Sequence, residues 1–480
     1  MRNKTLKYRK SQQQKKQRVT KTIELLKHYS FNQWLETIRK LNINHNKFQD
    51  INDRIKTKPE FLVVATDLVI RVSKKESNFN NPNINQINYL VGSEIELTDY
   101  PKNLISLFGL GAISLLANWQ NRFHYSQANM LGRMHLLYKD YNDYLIESIN
   151  LSIEDIYIIS LALLSVYQNK EKLYFRKEAI IANDIPNLCS DKIKSFLLYF
   201  STNQNNYIKN AKSDKIYEKS FGKFKYLIRY PIIEKEENLY IIPVFEQFID
   251  TISNNLYFML LENYAKKGRR ESKKFLDDFG LVLEGYVLEL AKKQFGEKKV
   301  IDANKIVKNA DEFRCEAVII NKRKALAIEV KKMYFKRDAI EQMDKEHIDL
   351  LLEKHIVKAY QQIENTLKYI KYSKYYGLIV IPDIMIGFSA IKSYIKEKFS
   401  GLANFDESIF ICSLSSYEAL MANSSNDIFL ILDNTKKRKR NDGDDINIVM
   451  IEMINKKIPL KMINTFLKEK RDNALDKLKF

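Results

Sequence analysis

Apolar residues recur at helical spacing through most of the first 265 positions, then give way to period-two alternation and short continuous runs. In the first stretch the pattern predicts helices over residues 19–41, 107–123, 130–149, 153–167 and 245–265. Ser152 stands as the N-cap of the fourth, facing Asp155. Residues 60–72 (EFLVVATDLVIRV) are apolar throughout and fit either a strand or a buried helix. Residues 224–233 and 239–244 flank an acidic turn and read as a small β-hairpin. Beyond a charged segment, residues 266–274, an amphipathic helix is expected over 275–295. Its apolar face comprises Leu281, Leu283, Tyr286, Val287 and Leu290. A hairpin follows (313–320 and 325–330), then a long helical region, 333–374. Two short apolar runs, 376–381 and 408–413, read as strands buried on both faces. Helices are expected at 388–399 and 415–422, a last strand at 428–432, and a closing pair of helices over 445–480. The fold class expected is therefore mostly α with a small hairpin over 1–265. Over 266–480 it is α/β, a mixed central sheet flanked by helices.

The second hairpin carries the chemistry. If Asn321 and Lys324 close its turn, Ile320 faces Ala325 and, counting outward, Glu316 faces Glu329. Directly opposed side chains on antiparallel strands lie about 4.5–5.5 Å apart at Cβ, and like charges there repel. Two carboxylates so placed among Ala317, Val318, Ala327 and Ile328 call for a positive charge between them. A hard divalent cation such as Mg²⁺ or Mn²⁺ suits oxygen ligands. Lys331, two residues beyond Glu329, points to the same face. Glu284 is a further acid, set inside the apolar face of the preceding helix, where a charge must be paired or ligating.

Charge adds a partner. With 79 Lys and Arg against 59 Asp and Glu, the net charge is +20, which favours a polyanion. Nucleic acid ranks first and an acidic membrane surface second, although AT-biased codon usage also yields a Lys-, Ile- and Asn-rich chain. Residues 1–21 hold nine basic side chains and no acid, an arm suited to phosphate contact or to plain solvation. Lys266, Lys267, Arg269, Arg270 and Lys332 are the candidate nucleic-acid contacts near the second hairpin. Three scattered cysteines imply neither a disulfide framework nor a zinc site, and a cytoplasmic setting fits. No apolar run reaches the ~18 residues of a membrane span, and the N-terminus lacks a secretory h-region. Phosphate-loop, nucleophile-elbow, HExxH and dinucleotide fingerprints are all missing.

With its helix–hairpin–helix–strand–helix–strand order, the stretch from residue 275 to 432 resembles the PD-(D/E)XK nuclease superfamily and its restriction-endonuclease-like fold. Glu316 matches the acid of the first hairpin strand, and Glu329-Val330-Lys331 matches the E-x-K of the second. Other E-x-K triplets, at Glu271 and Glu297, lie in charged segments with no strand partner. The usual Pro-Asp dipeptide is absent and Glu316 stands where Asp is commoner; Asp311 is the alternative ligand should the register differ. The resemblance implies that Glu284 is the first-helix acid and that Gln362 lies beside the site. It implies Mg²⁺ or Mn²⁺ held by Glu316, Glu329 and Glu284, with Lys331 serving the transition state. The activity implied is endonucleolytic hydrolysis, of double-stranded DNA by preference, in restriction or anti-phage defence. RNA cleavage and a catalytically inactive nucleic-acid-binding scaffold are the alternatives. The helical region 1–265 would then recognise a target, sense a signal or mediate assembly, as a homo-oligomer or with a defence-system partner.

Overall fold

The computed structural model describes residues 2–44, 59–73, 80–87, 89–90, 127–168, 173–181, 189–211, 225–307, 313–333, 345–382, 388–399, 408–437 and 445–476. The helix expected at 107–123, Asp311, and residues 334–344 of the long helical region lie outside them. The chain forms two units. One comprises 1–101, 138–256 and 474–480, the other 102–137 and 257–473.

The first unit is mainly helical. Arg2–His28 and Phe31–Asn44 follow one another, the second opened by a reciprocal cap in which Ser30 N–H donates to Gln33 Oε1 (2.8 Å) and Gln33 N–H to Ser30 Oγ (3.2 Å). The ambiguous apolar run is the Pro59–Val72 helix, buried along nearly its whole length. Ser152 and Asp155 form the same kind of reciprocal cap at the start of Ile153–Gln168. A three-stranded sheet has order β1 (Ser201–Asn203), β2 (Ile232–Glu236), β3 (Leu239–Ile241). The first arm of the expected hairpin is shorter than its sequence pattern: Lys225–Arg229 is a helical turn, and only β2 and β3 pair antiparallel. The parallel partner β1 had no alternation long enough to announce it.

The second unit is built on a five-stranded sheet, order β4 (Val300–Asp302), β5 (Ala317–Asn321), β6 (Lys324–Val330), β7 (Lys374–Ile381), β8 (Ile409–Ser413). The β4–β5 and β5–β6 pairs are antiparallel, β6–β7 and β7–β8 parallel, so the sheet is mixed. β8 is buried throughout and β7 from Tyr376 on, as continuous apolar runs require. The Arg269–Phe295 helix packs on β4, β5 and β6, burying Phe275, Phe279, Leu283, Tyr286, Val287 and Leu290. Leu281, assigned to that face from sequence, is 68% exposed; two residues from Leu283, it projects about 200° away around the helix. The helix carried by Ile356, Tyr360 and Ile363 packs on β6 and β7. It runs as Lys345–Leu352, one π-helical turn Glu353–Val357, and Lys358–Lys368.

The expected last strand at 428–432 is not a strand. It lies inside the Ser425–Lys437 helix, capped by Ser424, whose Oγ accepts from Asp427 N–H (3.3 Å). Its buried positions, Ile428, Phe429, Ile431, Leu432 and Thr435, with Leu430 exposed, follow a helical period that five apolar residues are too few to reveal. The closing helices are Asp445–Asn455 and Thr465–Asp476.

Candidate active site

The tight turn at Lys322-Arg323, with Lys322 at φ 55°, sets the register of β5 and β6. Pairing runs from Asn321↔Lys324 to Ala317↔Ile328, the constant sum expected from the turn. Glu316 lies one step beyond the last pair, where the chain bends. Its N–H donates to Ile328 O (3.0 Å) and its carbonyl accepts from Ala303 N–H (3.2 Å), so the residue is held between β6 and the end of β4. Lys331 continues the parallel edge by donating its N–H to Val380 O (2.9 Å). Lys332 reaches back to the Arg269–Phe295 helix, where its ammonium donates to Leu276 O and lies 3.6 Å from Asp277 Oδ1. It passes over Gly280, where a Cβ would stand 3.3 Å from Nζ. That brace holds the helix one turn before Glu284.

Glu284, Glu316 and Glu329 each lie in the field of Lys331. Burial raises the Glu284 carboxyl, with Lys331 and Lys332 opposing. Burial raises Glu316 to about 7, reinforced by Glu284 and Asp302 and opposed by Lys331. Glu329 is fully buried, and burial raises it to about 8; Lys331 opposes this, while Glu316 and Glu284 add to it. Glu329 Oε1 accepts from the Lys331 ammonium, while Oε2 is buried and has no hydrogen-bond partner among the described residues.

The Lys358–Lys368 helix closes another side. Gln362 Nε2 donates to Arg314 O (2.8 Å), Asn365 Nδ2 to Phe313 O (2.8 Å), and Thr366 Oγ1 accepts from Cys315 N–H (3.0 Å). Positions 362, 365 and 366 share one helix face, so three consecutive residues ahead of Glu316 are pinned to it. Gln362 Oε1 is buried and also lacks a partner among the described residues. His355, in the π-helical turn, is lowered to about 4 by burial, by its neighbour Lys354, and by Lys331 and Lys332, so its imidazole is neutral at pH 7. A π-turn inside an α-helix re-aims side chains and recurs at functional sites.

Of the residues singled out from sequence, Glu284, Glu316 and Glu329 thus lie within the field of Lys331, and Gln362 binds the backbone two residues ahead of Glu316. Lys332 braces the helix that carries Glu284. Lys266, Lys267, Arg269 and Arg270 are exposed where Leu256–Lys267 meets Arg269–Phe295, and Lys266 lies 3.9 Å from Glu262. Asp302, His355, Asn365 and Thr366 were not legible. Asp302 ends a three-residue strand, and the others reach the site only through the packing of a helix about 40 residues downstream of the hairpin.

As arranged, no three His, Cys, Asp or Glu side chains among the described residues stand close enough together to hold a metal ion. The available donors nonetheless suit a hard cation. Glu329 Oε2 is a buried oxygen acceptor without a partner among the described residues, and the Glu316 and Glu284 carboxyls, also raised, share the field of Lys331 with it. No protein-family model, no curated protein and no solved structure matches this chain.

Proposed function

We propose that the second unit is a PD-(D/E)XK-type nuclease that hydrolyses phosphodiester bonds in nucleic acid with Mg²⁺ or Mn²⁺, DNA being the preferred substrate. One observation carries this reading. Three carboxylates from a helix and a hairpin share the field of Lys331, and two of them are raised to about 7 and 8 with Lys331 as the opposing charge among the described residues. Burying acids this way is unfavourable without a counter-charge. In this reading Glu284, Glu316 and Glu329, with Gln362 Oε1, would hold the cation. When bound, it supplies Lewis-acid polarisation of the phosphate and a lower pKa for the attacking water.

The side chains do the rest. Lys331 offsets the negative charge that develops on the phosphoryl oxygens as the water oxygen bonds to phosphorus, the P–O ester bond breaks and the leaving alkoxide takes a proton. Thr366 and Gln362 hold the segment before Glu316 in place, which keeps that carboxylate oriented between turnovers. The net charge of +20 provides sequence-independent attraction to the phosphate backbone. A role in restriction or anti-phage defence, in the cytoplasm, with assembly through the helical unit, belongs to the same reading by association.

The test is cleavage of plasmid, linear duplex, single-stranded DNA and RNA, with and without Mn²⁺. Glu329→Ala and Lys331→Ala are each expected to lower cleavage by at least 10³-fold, while the circular dichroism spectrum and nucleic-acid affinity stay close to wild type. Wild-type cleavage in both variants, or cleavage that persists in excess EDTA, refutes the proposal. A second reading, a catalytically silent nucleic-acid-binding scaffold, is favoured by the closure of Glu329 Oε1 by Lys331. Titration with Mn²⁺ separates the two, because the silent site would take up no ion.

A further inference from the structure

Just ahead of the acid cluster, the structure presents a large aromatic side chain to solvent on a rigid mount. Phe313 is 57% exposed, although it is the third residue before Glu316. A solitary exposed apolar residue is unremarkable on a mobile loop. Here, however, the carbonyls of Phe313 and Arg314 and the N–H of Cys315 are each bound by a different side chain of one helix face, Asn365, Gln362 and Thr366. Backbone tied at three successive residues fixes where the Phe313 side chain leaves the chain, and the ring it carries stands open to solvent. The Lys358 ammonium lies 4.9 Å from the ring centroid, and Arg314, next along the chain, binds Asn304 Oδ1 through its Nε. An open aromatic face flanked by cations is the arrangement that takes a nucleobase on the ring and its phosphates on the charges.

We infer that Phe313 is a stacking platform for an unpaired base of the strand bound at the acid cluster, so that the site takes single-stranded nucleic acid or the single-stranded part of a junction. This rests on the nuclease reading of the cluster and adds the conformation of its substrate. In continuous duplex every base face is covered by its neighbours, and an aromatic ring carried three residues before Glu316 would find nothing to stack on. Lys358 leaves the ring for a backbone phosphate as the base arrives. Since every base has a π-face, the contact selects for strandedness and little for sequence.

Binding is measured on the full chain in EDTA, where no cleavage interferes, with oligo-dT, oligo-rU and a blunt duplex. Phe313→Trp places a reporter against only two native tryptophans. Its fluorescence is expected to quench on adding either single strand and to stay unchanged with duplex. Phe313→Leu is expected to weaken single-strand binding about tenfold, the loss of one base stack, with the salt dependence and the duplex affinity as in wild type. The two single strands decide between DNA and RNA as the source of the base. Unquenched Trp fluorescence with both single strands, or wild-type single-strand affinity in Phe313→Leu, overturns the inference. Cleavage by wild type with Mn²⁺, run in parallel, reports on the nuclease reading separately. Quenching without cleavage leaves the platform standing and removes the catalysis, whereas cleavage without quenching does the reverse.

Discussion

At the scale of residues, the acid cluster ties stability to pH. In the unfolded chain Glu316 and Glu329 titrate near the ordinary carboxyl value, while in the folded chain they are raised to about 7 and about 8. The native state therefore binds more protons than the unfolded state across that interval. Stability is full below about 4.5 and is lost as pH rises through 7 and 8. Thermal melts in EDTA should show Tm falling between pH 5 and pH 8.5. The Glu329→Gln variant should lose part of that slope and be the more stable protein at the alkaline end. Mn²⁺, which needs the carboxylates ionised, should recover Tm at pH 8 and do little at pH 5. A wild-type Tm profile identical to that of Glu329→Gln would show that the raised carboxyl is not there. The residues that make this site were visible in the sequence to the extent that local spacing encodes them. The hairpin count sets Glu316 opposite Glu329, whereas the ladder ends at Ala317↔Ile328 and Glu316 N–H bonds Ile328 O; Glu284 stands out by its place in an apolar helix face. Asp302 and His355 lacked any such pattern, and their proximity to the cluster is a product of packing alone.

At the scale of elements, the position of the Lys358–Lys368 helix on the sheet decides whether Gln362 and Thr366 reach the hairpin. That approach depends on Gly377 in β7. A Cβ there would stand 2.7 Å from Ile363 Cγ2 and 3.0 Å from Ile409 Cγ1, so the helix sits as low as it does because the strand has no side chain at this point. Gly377→Ala should push the helix outward and cost about 1–3 kcal/mol, the range for overpacking a filled core. Because Ile363 adjoins Gln362, the cleavage proposed above should fall along with stability. Urea unfolding and an activity assay on the same preparation test both; wild-type values in both would mean the helix is not seated by this contact. Most long apolar-periodic elements were readable from the sequence, although the Ser190–Phe200 helix, periodic at Ile193, Phe196, Leu197 and Phe200, is absent from those expected. Short elements were readable only where a turn or a continuous apolar run marked them, as in β3, β5 and β8: β1 and β4 are too short to alternate, and residues 428–432 have the same composition whether they form a strand or, as here, the middle of a helix.

At the scale of the second unit, residues 127–137 join a sheet unit that begins more than a hundred positions later. The attachment is a buried ion pair: Arg133 Nη1 lies 3.4 Å from Glu418 Oε1, and both side chains are almost wholly excluded from solvent. Tyr286 OH donates to the same carboxylate oxygen (2.7 Å), tying in the helix that carries Glu284. Gly132 lies against Leu467 O, where a Cβ would come within 2.3 Å, so this helix crosses the Thr465–Asp476 helix at backbone contact. Arg133→Met strands the Glu418 carboxylate and should cost about 3–5 kcal/mol, whereas Arg133→Met combined with Glu418→Leu should recover most of it. A double-mutant cycle by chemical denaturation reads the coupling, and additive losses would mean the pair contributes nothing.

By itself the sequence determined the mainly helical character of the described residues before 266, the hairpin, its register, and the placing of two acids and a lysine near its open end. All of these are local, set by periods of 3.6 and 2 and by one tight turn. Tertiary structure alone decided that Gln362, Asn365 and Thr366 clamp the backbone ahead of Glu316, that Asp302 and His355 come within the field of the cluster, and that the Phe313 ring is left exposed. These relations link residues from about 10 to 50 positions apart through a sheet and a helix, and they rest on which side chain is missing at Gly377 as much as on which are present. No window of sequence contains them, because the distances that matter are set by packing between elements.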